Sequence, residues 1–141
     1  MAMPSDPNGA PTVQMELHRI VISEMDEQQH IMLKEVDGSR NFYIVIGSME
    51  AAAINRRLMG KLSPRPLTHD LLASVIEQLG GTVDRIEINN LQEGTFYAQI
   101  HVRRDGQVLK VDSRPSDAIA LGVATNVPIF VAERVLAEAC R

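Results

Sequence analysis

Hydrophobic positions along this chain follow two periods, and the period switches several times. Residues 15–25 and 29–36 are rich in Val, Ile, Leu and Met in strand-like spacing, and the polar Asp26-Glu27-Gln28 between them predicts a hairpin turn. Gly38-Ser39 marks the next turn. Phe42, Ile44 and Ile46 alternate with the equally apolar Tyr43 and Val45, which predicts a strand buried on both faces.

The spacing then becomes helical. Gly47-Ser48 opens a helix over 49–59, with Ala51, Ala52, Ile54, Leu58 and Met59 on its apolar side and Gly60 as its C′ residue. The loop Ser63-Pro64-Arg65-Pro66-Leu67 cannot be helical. Thr68 is the expected cap of a second helix, in which Leu71, Leu72, Val75, Ile76 and Leu79 recur with helical period until Gly80-Gly81 stops it.

Three strands are predicted at 82–91, 95–104 and 107–112, divided by Glu93-Gly94 and Asp105-Gly106. The second dipeptide is a strong tight-hairpin signal. Phe96, Ala98, Ile100 and Val102 should face the core, and Tyr97, Gln99, His101 and Arg103 the water. Pro115 starts a helix that runs to about Ala124, with Ser113 or Ser116 as its cap and Asn126 closing it. Pro128–Val131 reads as a short strand and Glu133–Cys140 as a terminal helix. The whole predicts an α+β fold: a mostly antiparallel β-sheet with about four helices packed on it, in a single domain over 14–141. Residues 1–13, with Pro4, Pro7, Gly9 and Pro11, read as a disordered N-terminal tail.

Composition narrows the function classes. With 141 residues, 45% of them hydrophobic, the chain can bury a genuine core. No apolar run approaches a membrane span and no secretory signal is visible, so the expected location is cytoplasmic, with no membrane partner. The lone Cys140 excludes an internal disulfide framework. The net charge of −4 opposes a generally basic nucleic-acid binder, but it is unevenly spread. Residues 16–37 carry six acids against two bases, whereas residues 56–114 carry nine bases against seven acids. That asymmetry permits a basic face on an acidic protein.

Polar chemistry gathers at two similar places. Arg65-Pro66-Leu67-Thr68-His69-Asp70 and Arg114-Pro115-Ser116-Asp117 each set an Arg-Pro, a hydroxyl and an Asp at the start of a helix. Asp112 lies just upstream of the second. These segments, with Glu93-Gly94-Thr95-Phe96-Tyr97-Ala98, Ile46-Gly47-x-x-Glu50-Ala51 and Pro128-Ile129, occur in the order and near the spacing of one family. On them, the chain resembles a bacterial member of the bifunctional nuclease domain family over roughly 15–137. The resemblance implies an α+β fold and degradation of RNA and DNA without strong sequence specificity.

A metal-dependent nuclease needs carboxylates for Mg²⁺ or Mn²⁺, cations for phosphate and a group to move a proton. Asp70, Asp112 and Asp117 are the candidate ligands, with catalytic roles alongside His69 as base. Arg65 and Arg114, supported by Thr68 and Ser116 at the helix starts, are the candidate phosphate clamps. The alternative is a non-enzymatic binding or regulatory module. In that reading the acids stabilise helix N-termini and pair with the arginines, or the helix starts hold a small anion. Either way, apolar strands in an open sheet predict a homo-oligomer, most simply a dimer. The aromatics expected of a base-stacking platform are scarce, since the chain has no Trp.

Overall fold

The computed structural model describes residues 9–25 and 27–140. The elements are β1 (Thr12–Val21), β2 (Gln28–Glu35), β3 (Asn41–Gly47), α1 (Ser48–Leu58), α2 (Thr68–Gln78), β4 (Thr82–Gln92), β5 (Thr95–Arg104), β6 (Gln107–Ser113), α3 (Pro115–Thr125), β7 (Ile129–Ala132) and α4 (Glu133–Ala139). Residues 1–8 of the expected tail, and Asp26 of the expected turn, lie outside the described residues. β1 begins inside the expected tail because Thr12 and Val13 find partners in Ala132 and Val131 of β7.

The strands form a single seven-stranded sheet of order β3-β2-β1-β7-β4-β5-β6. It consists of two antiparallel meanders, β1-β2-β3 and β4-β5-β6, joined by the four residues of β7. That strand runs antiparallel to β1 and parallel to β4, the one parallel pairing among the described residues. All four of its residues are buried. Two-residue turns set the register of the second meander. Glu93-Gly94 and Asp105-Gly106 all have positive φ, between 50° and 79°, the geometry that matches the twist of paired strands.

The sheet curls strongly. Phe42 on β3 stacks on Phe96 of β5 with ring centroids 5.4 Å apart, although four strands separate them in the sheet. Five strand spacings in a flat sheet would be roughly 24 Å. The concave side holds α3, which touches both α1 and α2 and packs on β4 and β5. Because it is surrounded, α3 is apolar and small on nearly every side: Ala118, Ile119, Ala120, Leu121 and Gly122 are buried. A Cβ at Gly122 would sit 2.9 Å from Cγ1 of the buried Ile86, so the helix lies against β4 only because that side chain is missing.

Four expectations change. β3 buries Phe42, Ile44 and Ile46 but exposes Tyr43 and Val45, because it is an edge strand covered on its concave face alone. His101 is buried, not wet: it lies on an interior strand between Arg85 of β4 and Lys110 of β6. Thr68, Ser113 and Ser116 are not caps. Leu67 and Arg114 occupy the N-cap positions, without side-chain cap bonds. Finally, α2 contains no fully buried residue. Its Ala73 and Ile76 lean on the core, while Leu71, Leu72, Val75 and Leu79 stay exposed.

Gly122→Val should therefore lower the unfolding free energy by about 2 kcal/mol through overpacking. Urea titration checks this; an unchanged midpoint would mean that α3 has room to move off β4.

Candidate active site

The start of α3 is built by local rules. Arg114 has extended backbone angles (φ −68°, ψ 145°), as a residue before proline requires, and Pro115 takes the first helical position, where its missing N–H costs nothing. Asp117 follows at the third helical position. Its carboxylate does not turn back onto the helix. Oδ2 accepts from Arg114 Nε at 2.8 Å, and Oδ1 lies 3.1 Å from His69 Nε2 at the start of α2. Arg114 Nη2 donates at 3.0 Å to Glu50 Oε1 in the first turn of α1. Glu50, Arg114, Asp117 and His69 thus form a chain of hydrogen bonds across the three helices on the concave side.

Asp70 holds the equivalent position in α2 and does something different. Its Oδ2 accepts from the backbone N–H of Leu67 at 3.1 Å, so it stabilises its own helix start. The two Arg-Pro-led helix starts are alike in sequence and unlike in use. Arg65 and Thr68 are exposed, and neither makes a side-chain hydrogen bond or ion pair among the described residues. Asp112 is exposed on β6. Ser116 is buried and lines an open groove of about 630 Å³ between β3, the β4–β5 turn and the start of α3.

The donors expected for a divalent ion do not converge. Among the described residues no three His, Cys, Asp or Glu side chains are placed to hold one. Asp70 faces its own helix start, Asp112 lies on β6, and Asp117 is engaged by a guanidinium and an imidazole. These residues do not fit a preformed Mg²⁺ or Mn²⁺ cage.

Electrostatics fix the charge state of the centre. Partial burial pushes the Asp117 carboxyl up, but hydrogen bonds from Arg114 and then His69 outweigh it, so the group titrates below the usual carboxylate range. The Arg114 guanidinium is held above its ordinary value, first by Asp117 and then by Glu50. An ionised Asp117 accepts the proton on His69 Nε2, which leaves Nδ1 as the basic nitrogen; this tautomer is assigned from the hydrogen bonding.

His69 and Asp70 also border a narrow cleft of about 30 Å³ with Arg56, Arg57 and Lys61 from the end of α1 and the loop after it. Arg57 is tied to the carbonyl of Ala124 at 3.1 Å. Arg56 and Lys61 have no ion-pair partner among the described residues. Sequence reasoning counted these cations in the basic stretch but did not assign them to a site. It also left Glu50 without a role. The signal available for Glu50 was its place in the Ile46-Gly47-x-x-Glu50-Ala51 motif; in the fold, a side chain at Gly47 would run into the Glu50 carboxylate.

The family model described as the bifunctional nuclease domain matches residues 31–141. An uncharacterized protein of Mycobacterium tuberculosis is 43% identical over 120 residues, covering 85% of this chain and 71% of that protein. Bifunctional nuclease 1 of Oryza sativa subsp. japonica is 29% identical over 112 residues, 74% of this chain and 33% of the plant protein. Bifunctional nuclease 2 of the same plant is 27% identical over 114 residues, 78% of this chain and 35% of the plant protein. The chain therefore spans about a third of the length of these plant relatives.

Asp117 makes the stability of the centre dependent on acid. Its folded pKa lies below its unfolded value, so its contribution is complete above the unfolded value of about 4 and is lost as pH falls through the folded one. Asp117→Asn should cost about 1 kcal/mol at pH 7, and this difference should shrink below about pH 4. Denaturant melts of both proteins across pH 2.5–7 check it. A gap that persists at the acid end would mean the pairing does not act through the carboxylate charge.

Proposed function

Because the chain belongs to the bifunctional nuclease domain family, we propose that it hydrolyses phosphodiester bonds in RNA and DNA, with nucleic acid as its partner and substrate. The observation that carries the reading is the Arg114–Asp117–His69 relay beside a cleft lined by cations. Arg56, Lys61 and the exposed Arg65 draw the backbone phosphates to the cleft. Asp117, kept ionised by Arg114, holds the His69 ring in one tautomer; His69 Nδ1 takes the proton of the attacking water as its oxygen bonds to phosphorus, the ester P–O bond breaks, and the departing oxygen takes a proton from solvent. Two of the Arg114 donors are engaged by carboxylates, so its first task is to position Asp117 rather than to clamp phosphate.

The expected donors for Mg²⁺ or Mn²⁺, Asp70, Asp112 and Asp117, do not converge on one point among the described residues. Running the assay with Mg²⁺, Mn²⁺ or EDTA reads metal dependence directly.

A second reading has its own support: the same relay pins α1, α2 and α3 together, which a purely structural knot would also do. Cleavage of single-stranded RNA and DNA by wild type and variants separates the two. His69→Ala should reduce the rate by about 10²- to 10⁴-fold with little change in melting temperature. If wild type does not cut, or if His69→Ala cuts equally well, the nuclease site is wrong. Loss of stability in Asp117→Asn without any wild-type activity identifies the structural knot.

The cationic strip has a separate signature. Arg56→Ala with Lys61→Ala should weaken single-strand binding uniformly across sequences. It should also flatten the plot of log affinity against log salt by about 1.4, or 0.7 for each lost phosphate contact. An unchanged slope would place the backbone elsewhere.

A further inference from the structure

The open groove beside the start of α3 plays no part in the chemistry described so far. Five consecutive residues of β3, Tyr43 through Gly47, form one wall of it. Side chains of a strand alternate between faces, so a groove that touches five in a row meets the strand along its edge. β3 is an outer strand of the sheet, and its backbone donors and acceptors on that edge have no partner strand. The β4–β5 turn forms another wall with Phe96, whose ring stacks on Phe42. At about 630 Å³ the groove falls in the ordinary size range of small-molecule sites, roughly 300–1,000 Å³.

The start of α3 completes the groove and brings its polar groups. Pro115 has no N–H, and the first intrahelical bond runs from the Ala118 N–H to the Arg114 carbonyl. No side chain caps this helix, so the N–H groups of Ser116 and Asp117 have no acceptor among the described residues. Ser116 is only 7% exposed and lines the groove, yet its hydroxyl makes no hydrogen bond among the described residues. That hydroxyl is a donor with its place fixed and no protein acceptor. Arg114 lines the groove too. Its Nε and Nη2 hold Asp117 and Glu50, which turns both carboxylates onto the guanidinium and leaves Nη1 as a third donor. Two backbone N–H groups, a hydroxyl and a guanidinium nitrogen at a helix start make a site for a phosphate group.

We propose that this groove binds one nucleotide, with its phosphate at the start of α3 on Ser116 and Arg114 and its base along the β3 edge against Tyr43 and Phe96. Aromatic rings beside unpaired backbone donors and acceptors suit a base, which has a flat π-face and a polar rim. The phosphate arm stands on the geometry alone; the choice of a nucleotide among phosphate esters rests on the proposed nuclease reading. Arg114 borders this groove and also holds Asp117, so the bound nucleotide adjoins the Asp117–His69 pair. A free mononucleotide and one residue of a bound single strand present the same phosphate and base.

Backbone amide NMR shifts of the isotope-labelled protein, followed through titrations in EDTA, test the proposal. Adenosine monophosphate contains no phosphodiester, so nothing is cut. It should shift the amides of Ser116, Asp117 and the Tyr43–Gly47 edge together. Inorganic phosphate should move only Ser116 and Asp117, and adenosine only the β3 edge, each binding at least about tenfold more weakly. Ser116→Ala should weaken the monophosphate by about five- to tenfold. Tyr43→Ala, at a half-exposed position of an edge strand, should weaken the monophosphate and leave inorganic phosphate unchanged. The spectra of both variants report their folding. A single-stranded oligonucleotide that shifts the same amides and is displaced by the monophosphate identifies the ligand as a residue of a strand. Shifts with the monophosphate alone identify a free mononucleotide. The proposal is overturned if the monophosphate leaves these amides unmoved, binds no tighter than inorganic phosphate, or binds Ser116→Ala equally well. No cleavage is read, so a protein that binds the monophosphate and cuts nothing counts against the nuclease reading alone. A protein that cuts nucleic acid and ignores the monophosphate counts against the groove alone.

Discussion

Everything that positions the candidate site follows from burying α3 within the curve of a sheet. A helix enclosed by β4, β5, α1 and α2 cannot carry large or polar side chains along its length, and Ala118-Ile119-Ala120-Leu121-Gly122 meets that demand. The close approach at Gly122 draws the helix against Ile86, and the curl that brings Phe42 to Phe96 closes the sheet around it. With the body of the helix apolar, its polar chemistry is confined to its start. There Pro115 fixes the chain direction, and Arg114 and Asp117 emerge between α1 and α2.

Two arginine networks show how the same ion-pair chemistry serves different ends. Arg40 donates to Glu35 at 2.6 Å and, through both terminal nitrogens, to Glu133 at 2.7 and 3.0 Å. This forked pair ties the β2–β3 turn to α4, and Arg40 holds Glu133 below the usual carboxylate range. Among the described residues its partners are the two carboxylates, and no imidazole takes part, so it is an anchor between elements. Arg114 also bridges two carboxylates, but one of them hands its second oxygen to His69, and His69 borders a cleft with three cations. Partly exposed pairs contribute on the order of 1 kcal/mol or less to stability. The value of the Arg114 network lies mainly in fixing the charge of Asp117 and the orientation of His69.

The same architecture explains why apolar surface remains. A curled sheet with its helices gathered over the concave side leaves β6 beyond the last helix, and α2, the outermost helix on that side, has a neighbour on one flank only. Leucines in strict helical period therefore do not by themselves report burial: Leu71, Leu72 and Leu79 of α2 keep the period and stay exposed.

Much of the fold could be read from local physics. The three strands of the second meander, the helical repeats, the Asp105-Gly106 turn, the stop at Gly80 and the closure at Asn126 depend on neighbours within a few residues, and each is where the sequence places it. The family resemblance was legible for the same reason, since its motifs are short runs at turns and helix starts. Other features depended on residues far apart in the chain. A four-residue β7 became the joint of the sheet because β1 and β4 both lie against it. Asp70 and Asp117 occupy equivalent helix positions, yet only Asp117 has a histidine and an arginine within hydrogen-bond reach. Glu50 and His69 join Arg114 and Asp117 across separations of 64 and 48 residues. Local periodicity and turn chemistry determine which elements form. Only their packing, by setting which helix start faces which, decided the partner of each charged side chain.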